Sequence, residues 1–184
     1  MIYLLGIAVL VVFASASRVI EEVDGVVMEN SDNWTRFDAL FVKYGARYKV
    51  DWKWLKAIAM NESSLGRVAS VARGLEVPGD IEGSKSQDGK SWGLMQVTVT
   101  TAKDLDPNAT AQRLNDPNYS VMIAAMYISR LQKKFSMVDT RWQEWVIKSY
   151  NQGPGNTMKE QRKQIDGYAE EYWTRFQRNL ERVG

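Results

Sequence analysis

Apolar side chains recur at spacings of three and four residues along much of this chain, which is the period of helices that bury one face. The first such stripe includes Trp34, Phe41 and Tyr48 and follows a polar run at residues 31–33. Side chains of that run favour a helix N-cap, so we expect the first helix to begin behind them. A second stripe follows Asp51 and predicts a second helix.

Helical signals resume in the second half of the chain. Asp116 followed by Pro117 is typical of an N-cap with proline at the first helical position. The Gly-Pro-Gly sequence at residues 153–155 is expected to stop a helix that Asp139 caps. The predicted helices of this half span residues 98–105, 117–135, 140–150, 158–164 and 168–182.

The helical pattern fails between Ser63 and Trp92. Glycine, serine and aspartate are frequent there, which predicts a long loop or a small β-hairpin. Residues 17–30 carry acidic residues among valines without a clear period and are expected to form a linker or a loosely packed lead-in. We therefore predict a mainly α fold, with a single helical domain over residues 31–184 and one irregular excursion.

Residues 1–16 contain no charged side chain and end in Ala14-Ser15-Ala16, a small-x-small sequence. Such a segment is typical of a signal peptide. Because a membrane-spanning helix needs roughly 20 apolar residues, a cleaved signal is favoured over a short inner-membrane anchor. Both interpretations place the rest of the chain outside the cytoplasm, in the periplasm or the cell envelope.

The amino-acid composition mainly excludes classes of function. The chain has 184 residues, which is typical of one domain, and it contains no histidine and no cysteine. This removes the usual zinc ligands, disulfide bonds, cysteine nucleophiles and histidine-based triads. The 24 basic and 22 acidic residues give a net charge of +2, too weak a field to indicate a nucleic-acid partner. Mixed charges such as Glu144 and Lys148 are expected on a solvated helix face.

Glu62 is the first candidate for chemistry. It lies near the end of the second predicted helix, on its apolar face, and the glycine-rich segment follows. Apolar surroundings would raise the pKa of this carboxyl group, which could then give a proton to a leaving oxygen and take one back. The alternative is a solvated charge at a helix end.

Two further segments offer neutral polar groups. In GLMQ at residues 93–96, the glycine permits close backbone approach and the glutamine offers amide donors and an acceptor. In YNQGPG at residues 150–155, the phenol of Tyr150 and the amide of Asn151 lie at the end of a helix that must turn sharply. Each segment alone is equally consistent with an ordinary helix start or stop.

In their order along the chain, Glu62-Ser63, GLMQ, the helix DPNYSVMIAAMYISRL and YNQGPG resemble the lytic transglycosylases of the soluble Slt type. The resemblance runs from about Trp54 to Tyr168. It implies a lysozyme-like helical domain that cleaves the β-1,4 bond between N-acetylmuramic acid and N-acetylglucosamine in peptidoglycan and leaves a 1,6-anhydro sugar. It also implies that glycan strands are the partner and that no metal or other cofactor takes part.

The resemblance assigns roles to individual residues. Glu62 matches the single catalytic acid and base, and the expected substrate-binding residues are Ser70, Met95, Gln96, Tyr119, Tyr150 and Asn151. Ser70 is preferred as the cleft serine on its spacing from Glu62, with Ser84, Ser86 and Ser91 as alternatives. Tyr119 and Trp92 are candidates for stacking on sugar rings, with core packing as the alternative.

Two other functions stay open. The segment before Trp92 carries Glu76, Asp80, Glu82 and Asp88, and one of these carboxylates opposite Glu62 would permit hydrolysis by a muramidase. Goose-type lysozymes, which resemble the same fold, keep acidic residues in this region. The third interpretation is a wall-binding or assembly module of an envelope complex or a phage particle, which would place the chain in a virion.

Overall fold

The computed structural model of the protein describes residues 34–66, 90–136 and 139–184, together with the backbone of two strands that precede residue 34. Within this part of the chain there are eight helices and two antiparallel strand pairs, which confirms the mainly α prediction. The strands are β1 (Ile20–Val23), β2 (Val26–Glu29), β3 (Ser91–Trp92) and β4 (Val97–Thr98). The helices are α1 (Asp38–Tyr48), α2 (Trp52–Ser63), α3 (Val99–Lys103), α4 (Ala111–Leu114), α5 (Pro117–Phe135), α6 (Trp142–Gln152), α7 (Pro154–Gln161) and α8 (Glu170–Val183).

The first two helices differ in how well their starts were signalled. α2 begins after Asp51, as predicted, and the Asp51 carboxylate caps it by accepting a hydrogen bond from the Lys53 amide at 2.9 Å. α1 begins only at Asp38, because residues 34–37 form a turn first, and no side chain caps the helix. The predicted cap at residues 31–33 is therefore wrong.

The hydrophobic core is built around α5. Asp116 accepts a hydrogen bond from the Asn118 amide at 2.9 Å, and Pro117 occupies the first turn of the helix, as predicted. Ile123 and Ile128 are fully buried because α1 and α6 pack against this helix. Each such side chain contributes about 1.5–3 kcal/mol of hydrophobic stabilisation.

An aromatic cluster holds α2 against α6 and α8. The Trp54 ring packs against Trp142 of α6 and edge-on against Phe176 of α8, with centroid distances of 5.9 Å to both. Trp173 stacks on Phe176 at 5.7 Å. Because aromatic pairs of this kind add stabilisation beyond the area that they bury, the cluster fixes α2 relative to α8. It thereby sets the position of Glu62 near the end of α2.

A buried lysine joins α6, α7 and α8. The Lys148 ammonium group lies 2.9 Å from Glu144, 2.8 Å from Glu160 and 2.5 Å from Glu170. Burial alone would lower the pKa of Lys148, but the hydrogen bonds to these carboxylates outweigh it and raise the pKa above its usual value. Lys148 is 1% exposed and Glu144 is 9% exposed. The expectation of a solvated face is wrong for both, because pairing with opposite charges makes their burial tolerable.

The segment at residues 17–30 contains regular structure. Strands β1 and β2 pair antiparallel, with Val23 opposite Val26. The Asp24-Gly25 sequence that connects them is of the type that favours two-residue hairpin turns. This local signal explains why strands occur where the apolar pattern has no clear period.

The helix ends near residue 153 also depart in part from expectation. Gly153 ends α6 as predicted, but α7 starts at once with Pro154 rather than at residue 158. α4 is an additional helix, and its four residues are too few to show an apolar period.

None of the described helices is long and apolar enough to cross a lipid bilayer. The predicted export segment, residues 1–16, lies outside the described residues.

The GLMQ motif forms the turn between β3 and β4. Gly93 has a φ of +74° and Gln96 a φ of +47°. A Cβ atom at residue 93 would lie 1.7 Å from the carbonyl oxygen of Leu114. Only glycine satisfies both the positive φ and this contact, so the expected close backbone approach is confirmed.

We predict that Gly93→Ala lowers the free energy of unfolding by roughly 2–4 kcal/mol, because the backbone must shift away from Leu114. Urea denaturation followed by circular dichroism measures this change. Gly155→Ala is the matched control, since a Cβ there meets nothing within 4 Å. It should raise the free energy of unfolding by about 0.4–1 kcal/mol, because alanine fits this helical position and restricts the unfolded chain. Equal stability of the two variants would contradict the prediction.

Candidate active site

Glu62 is held where α2 meets α8. The phenol of Tyr172 donates a hydrogen bond of 2.6 Å to Glu62 Oε1. The preceding residue, Asn61, donates from its side-chain amide to the carbonyl oxygen of Tyr172 at 3.1 Å. Two consecutive residues of α2 thus contact one residue of α8, which fixes the orientation of the carboxyl group.

The surroundings of Glu62 raise its pKa from 4.5 to about 7. Burial is the main cause, because the charged form loses hydration. The Tyr172 hydrogen bond and the positive charge of Arg175 favour the carboxylate and limit the rise. A carboxyl group with this pKa populates both protonation states near neutral pH, which suits a group that gives and takes a proton.

Glu62 lines a cleft with a volume of about 280 Å³. The cleft is lined by Glu62, Ser91, Gln96, Val97, Thr98, Thr101, Tyr127, Tyr150, Asn151, Gln152 and Gly153. Among the described residues of this lining, Glu62 is the only carboxylate. In the same part of the chain, no group of three or more acidic, histidine or cysteine side chains is arranged to hold a metal ion. The neutral polar lining suits a ligand rich in hydroxyl and amide groups.

Three side chains from different helices hold the 93–96 turn beside Glu62. Ser63 donates a hydrogen bond of 2.7 Å to the carbonyl oxygen of Leu94. The amide of Met95 donates to Ser120 Oγ at 3.1 Å, and its carbonyl oxygen accepts from the Tyr150 hydroxyl at 2.7 Å. Three backbone groups of this buried turn are thereby satisfied, and the turn is tied to α2, α5 and α6.

Two of the predicted binding residues present amide groups to the cleft. Gln96 Nε2 donates a hydrogen bond of 2.8 Å to the carbonyl oxygen of Gly93, which orients the side chain across its own turn. Asn151 is exposed at the end of α6. A primary amide both donates and accepts, so these residues can bind neutral polar groups.

Two phenol rings form one wall of the cleft. The centroids of Tyr127 and Tyr150 are 5.7 Å apart with an interplanar angle of 48°. Burial raises the pKa of both phenols, and the nearby Glu62 adds to the rise at Tyr150. Both therefore stay neutral at physiological pH. The Tyr150 hydroxyl donates to the 93–96 turn, whereas the phenol that contacts the acid is Tyr172.

The structure does not bring two of the predicted binding side chains into this cleft. The Met95 side chain is fully buried, so only its backbone takes part in the site. Tyr119 is 7% exposed, its hydroxyl donates to Asp106 at 2.7 Å, and Arg113 lies 4.0 Å from the centre of its ring. These contacts favour core packing for Tyr119. Trp92 is likewise partly buried against the core.

Some predicted residues lie outside the described part of the chain, and some residues of the site were not predicted. Ser70 lies outside the described residues, as do its alternatives Ser84 and Ser86 and the acidic residues Glu76, Asp80, Glu82 and Asp88. Tyr172 and Tyr127 are absent from the predicted set. The one sequence signal for Tyr172 is its place four residues before Phe176 on an amphipathic helix, which indicates burial but not a partner 110 residues away.

Comparison with known proteins addresses the family of this chain. Membrane-bound lytic murein transglycosylase F of Hahella chejuensis is 27% identical over 129 residues, which are 68% of this chain and 21% of that protein. The chain thus spans about a fifth of the length of that relative. Residues 39–172 match the transglycosylase SLT domain family, a range that contains Glu62, the 93–96 turn and Tyr172. Because this match covers well over half of the chain, the protein belongs to the transglycosylase SLT domain family.

Proposed function

We propose that this domain is a peptidoglycan lytic transglycosylase that cleaves the β-1,4 bond between N-acetylmuramic acid and N-acetylglucosamine and leaves a 1,6-anhydro end. The observation that carries the proposal is the Glu62 carboxyl group, which lines a neutral polar cleft with a pKa of about 7. Family membership and the name of the Hahella relative, a lytic murein transglycosylase, support the substrate class.

In the first step Glu62 acts as the acid. Its Oε1 accepts the Tyr172 hydrogen bond, which leaves Oε2 to carry the proton. The proton goes to the oxygen that links the two sugars, while the bond between this oxygen and C1 of muramic acid breaks. The positive charge that develops at C1 is met by the acetamido oxygen of the same sugar, so a second carboxylate is not required.

In the second step the Glu62 carboxylate acts as the base. It removes the proton from the C6 hydroxyl of muramic acid. The C6 oxygen then bonds to C1, releases the acetamido oxygen from C1 and closes the anhydro ring. Glu62 ends protonated, as it began, and no water is consumed. A pKa near 7 serves both steps, since the first needs the acid and the second needs its conjugate base.

We assign Gln96, Tyr150 and Asn151 to substrate binding. All three line the cleft, and all three are neutral at physiological pH. The Tyr150 hydroxyl uses its proton on the 93–96 turn, so its oxygen remains an acceptor. Neutral donors and acceptors match the hydroxyl and acetamido groups of amino sugars.

Hydrolysis of the same bond is the competing chemistry. An inverting muramidase needs a second carboxylate roughly 6.5–9.5 Å from the acid to activate a water molecule. Among the described residues, no carboxylate other than Glu62 lines the cleft. The mass of the product distinguishes the two reactions, because an anhydro end is lighter than a reducing end by one water.

The substrate implies a location. Peptidoglycan lies outside the cytoplasm, and the Hahella relative is named as membrane-bound. We therefore propose that the enzyme acts in the periplasm or elsewhere in the cell envelope, with glycan strands as its partner. An enzyme carried on a phage particle would meet the same polymer.

Glu62→Gln is expected to reduce cleavage by about 10³-fold, because the amide keeps the shape of the side chain and loses the transferable proton. Purified peptidoglycan is digested and the products are weighed by mass spectrometry. Wild type should release anhydro-ended fragments. Near wild-type release by the variant, or hydrated reducing ends from the wild type, would contradict the proposal.

One control variant and one measurement of stability accompany Glu62→Gln. Asp166→Asn changes an exposed carboxylate outside the cleft and should leave activity unchanged. Glu62→Gln itself should unfold at a higher temperature than wild type at pH 8, because ionising a carboxyl group with a raised pKa destabilises the folded state. This advantage should shrink below pH 7 and disappear below about pH 4.5, where Glu62 is protonated in both states.

The pH dependence of cleavage should follow Glu62. We expect kcat/KM to fall as the pH rises through about 7, because the free enzyme then loses its acid. Tyr172→Phe removes a hydrogen bond that lowers the pKa of Glu62, so this limb should move to higher pH. Tyr44→Phe, which removes a buried hydroxyl bonded to Asn118 at 2.6 Å, should leave the limb in place. An unmoved limb in Tyr172→Phe would refute the assignment of Glu62 to it.

A further inference from the structure

A second groove lies at the end of α2 and is lined by Asn61, the residue before Glu62. It has a volume of about 390 Å³ and is open to solvent. Met60 and Asn61 of α2 form one side, and Arg175, Arg178 and Arg182 of α8 form the other. We refer to it as the arginine groove. Its lining starts at the residue next to Glu62, so the two sites share the last turns of α2.

The three arginines lie on one face of α8. Their spacing of three and four residues brings their side chains to the same side of the helix, and all three are exposed. None of them forms an ion pair with a carboxylate of residues 34–66, 90–136 or 139–184. Glu171 and Glu181 belong to the same helix but do not line the groove.

The floor of the groove is polar and internally hydrogen-bonded. Asn179 of α8 donates a hydrogen bond of 2.7 Å to Asn61 Oδ1, and the amide of Asn61 donates to the backbone of Tyr172 at 3.1 Å. The guanidinium of Arg182 lies 5.3 Å from the centre of the Trp34 ring, which anchors one end. A concave surface with three like charges and fixed amides attracts an anionic ligand.

The same surface is coupled to the acid. Arg175 lines the arginine groove, and its positive charge favours the ionised form of Glu62. Arg175 is therefore close enough to Glu62 for its charge to act on the carboxyl group. The anion that we consider for this groove is therefore part of the same substrate that the Glu62 cleft binds.

We propose that the arginine groove binds the carboxylate groups of the peptide stems carried by the muramic acid residues of the glycan strand. The inference rests on the proposed function and deepens it, because it names the part of the substrate that lies outside the sugar cleft. Guanidinium groups match carboxylates in shape and hydrogen bonding. A stem of three or four residues reaches about 10–14 Å when extended, enough to pass from one turn of a helix to the next.

The test compares two substrates. One is glycan strands that keep their peptide stems, and the other is glycan strands from which an amidase has removed them. Arg178→Gln should lower kcat/KM about three- to five-fold on the stem-bearing strands, through KM, and should leave cleavage of the stripped strands unchanged. Arg178→Lys keeps the charge and should recover part of the loss. Arg162→Gln, an exposed arginine outside the groove, is the matched control.

The outcomes separate this inference from the proposed function. Equal losses on both substrates, or no loss on the stem-bearing strands, would overturn the inference. Loss of binding to vesicles of anionic phospholipid in Arg178→Gln, without any dependence on stems, would also overturn it. Failure of the proposed function would instead appear as wild-type protein that cuts neither substrate.

A binding measurement does not depend on turnover. Soluble fragments with and without stems are titrated calorimetrically into the Glu62→Gln protein and into the same protein with Arg178→Gln added. The second substitution should weaken binding of stem-bearing fragments about three- to five-fold and leave stem-free fragments unaffected. Identical affinities of the two proteins for the stem-bearing fragment would overturn the inference.

Discussion

Burial of one carboxyl group between α2 and α8 is the constraint on which the rest of the site depends. A partly buried acid loses hydration, so its charged form is disfavoured unless neighbouring groups are held in place around it. Tyr172 supplies the hydrogen bond to Glu62, and Phe176, one turn later on α8, packs against Trp54 of α2. The same pair of helices thus provides both the packing and the acid. Burial of Glu62 by these helices raises its pKa to about 7.

The opposite side of the cleft is a short turn with little regular structure of its own. Residues 93–96 are positioned because Ser63, Ser120 and Tyr150 each bond to their backbone. Ser63, which follows Glu62, therefore has a structural role, because its hydroxyl connects the end of α2 to the turn. The same backbone bonds also explain why Met95 belongs to the motif although its side chain faces the core. Residues of these motifs therefore support the walls of the cleft as well as line it.

Signals that act within a few residues were readable from the sequence. The start of α2 after Asp51, the Asp116-Pro117 start of α5 and the position of Glu62 on an apolar helix face all depend on neighbours along the chain. Contacts between distant segments were not readable. The Glu62–Tyr172 hydrogen bond spans 110 residues, and Lys148 resembles a surface residue until three helices bring carboxylates around it. The β1–β2 pairing was missed for another reason, since the prediction for residues 17–30 rested on the absence of an apolar period and did not include the Asp-Gly pair at residues 24–25.

A single carboxyl group that serves as acid and then as base must be neither strongly acidic nor permanently protonated. At Glu62 this balance results from opposed contributions, because burial raises the pKa while Tyr172 and Arg175 lower it. Both lowering groups lie on α8: Tyr172 donates a hydrogen bond to the acid, and Arg175 lines the arginine groove. An anion bound at that groove would weaken the effect of Arg175 on Glu62 and favour the protonated acid that starts the reaction. Engagement of a substrate away from the scissile bond would then prepare the group that cleaves it.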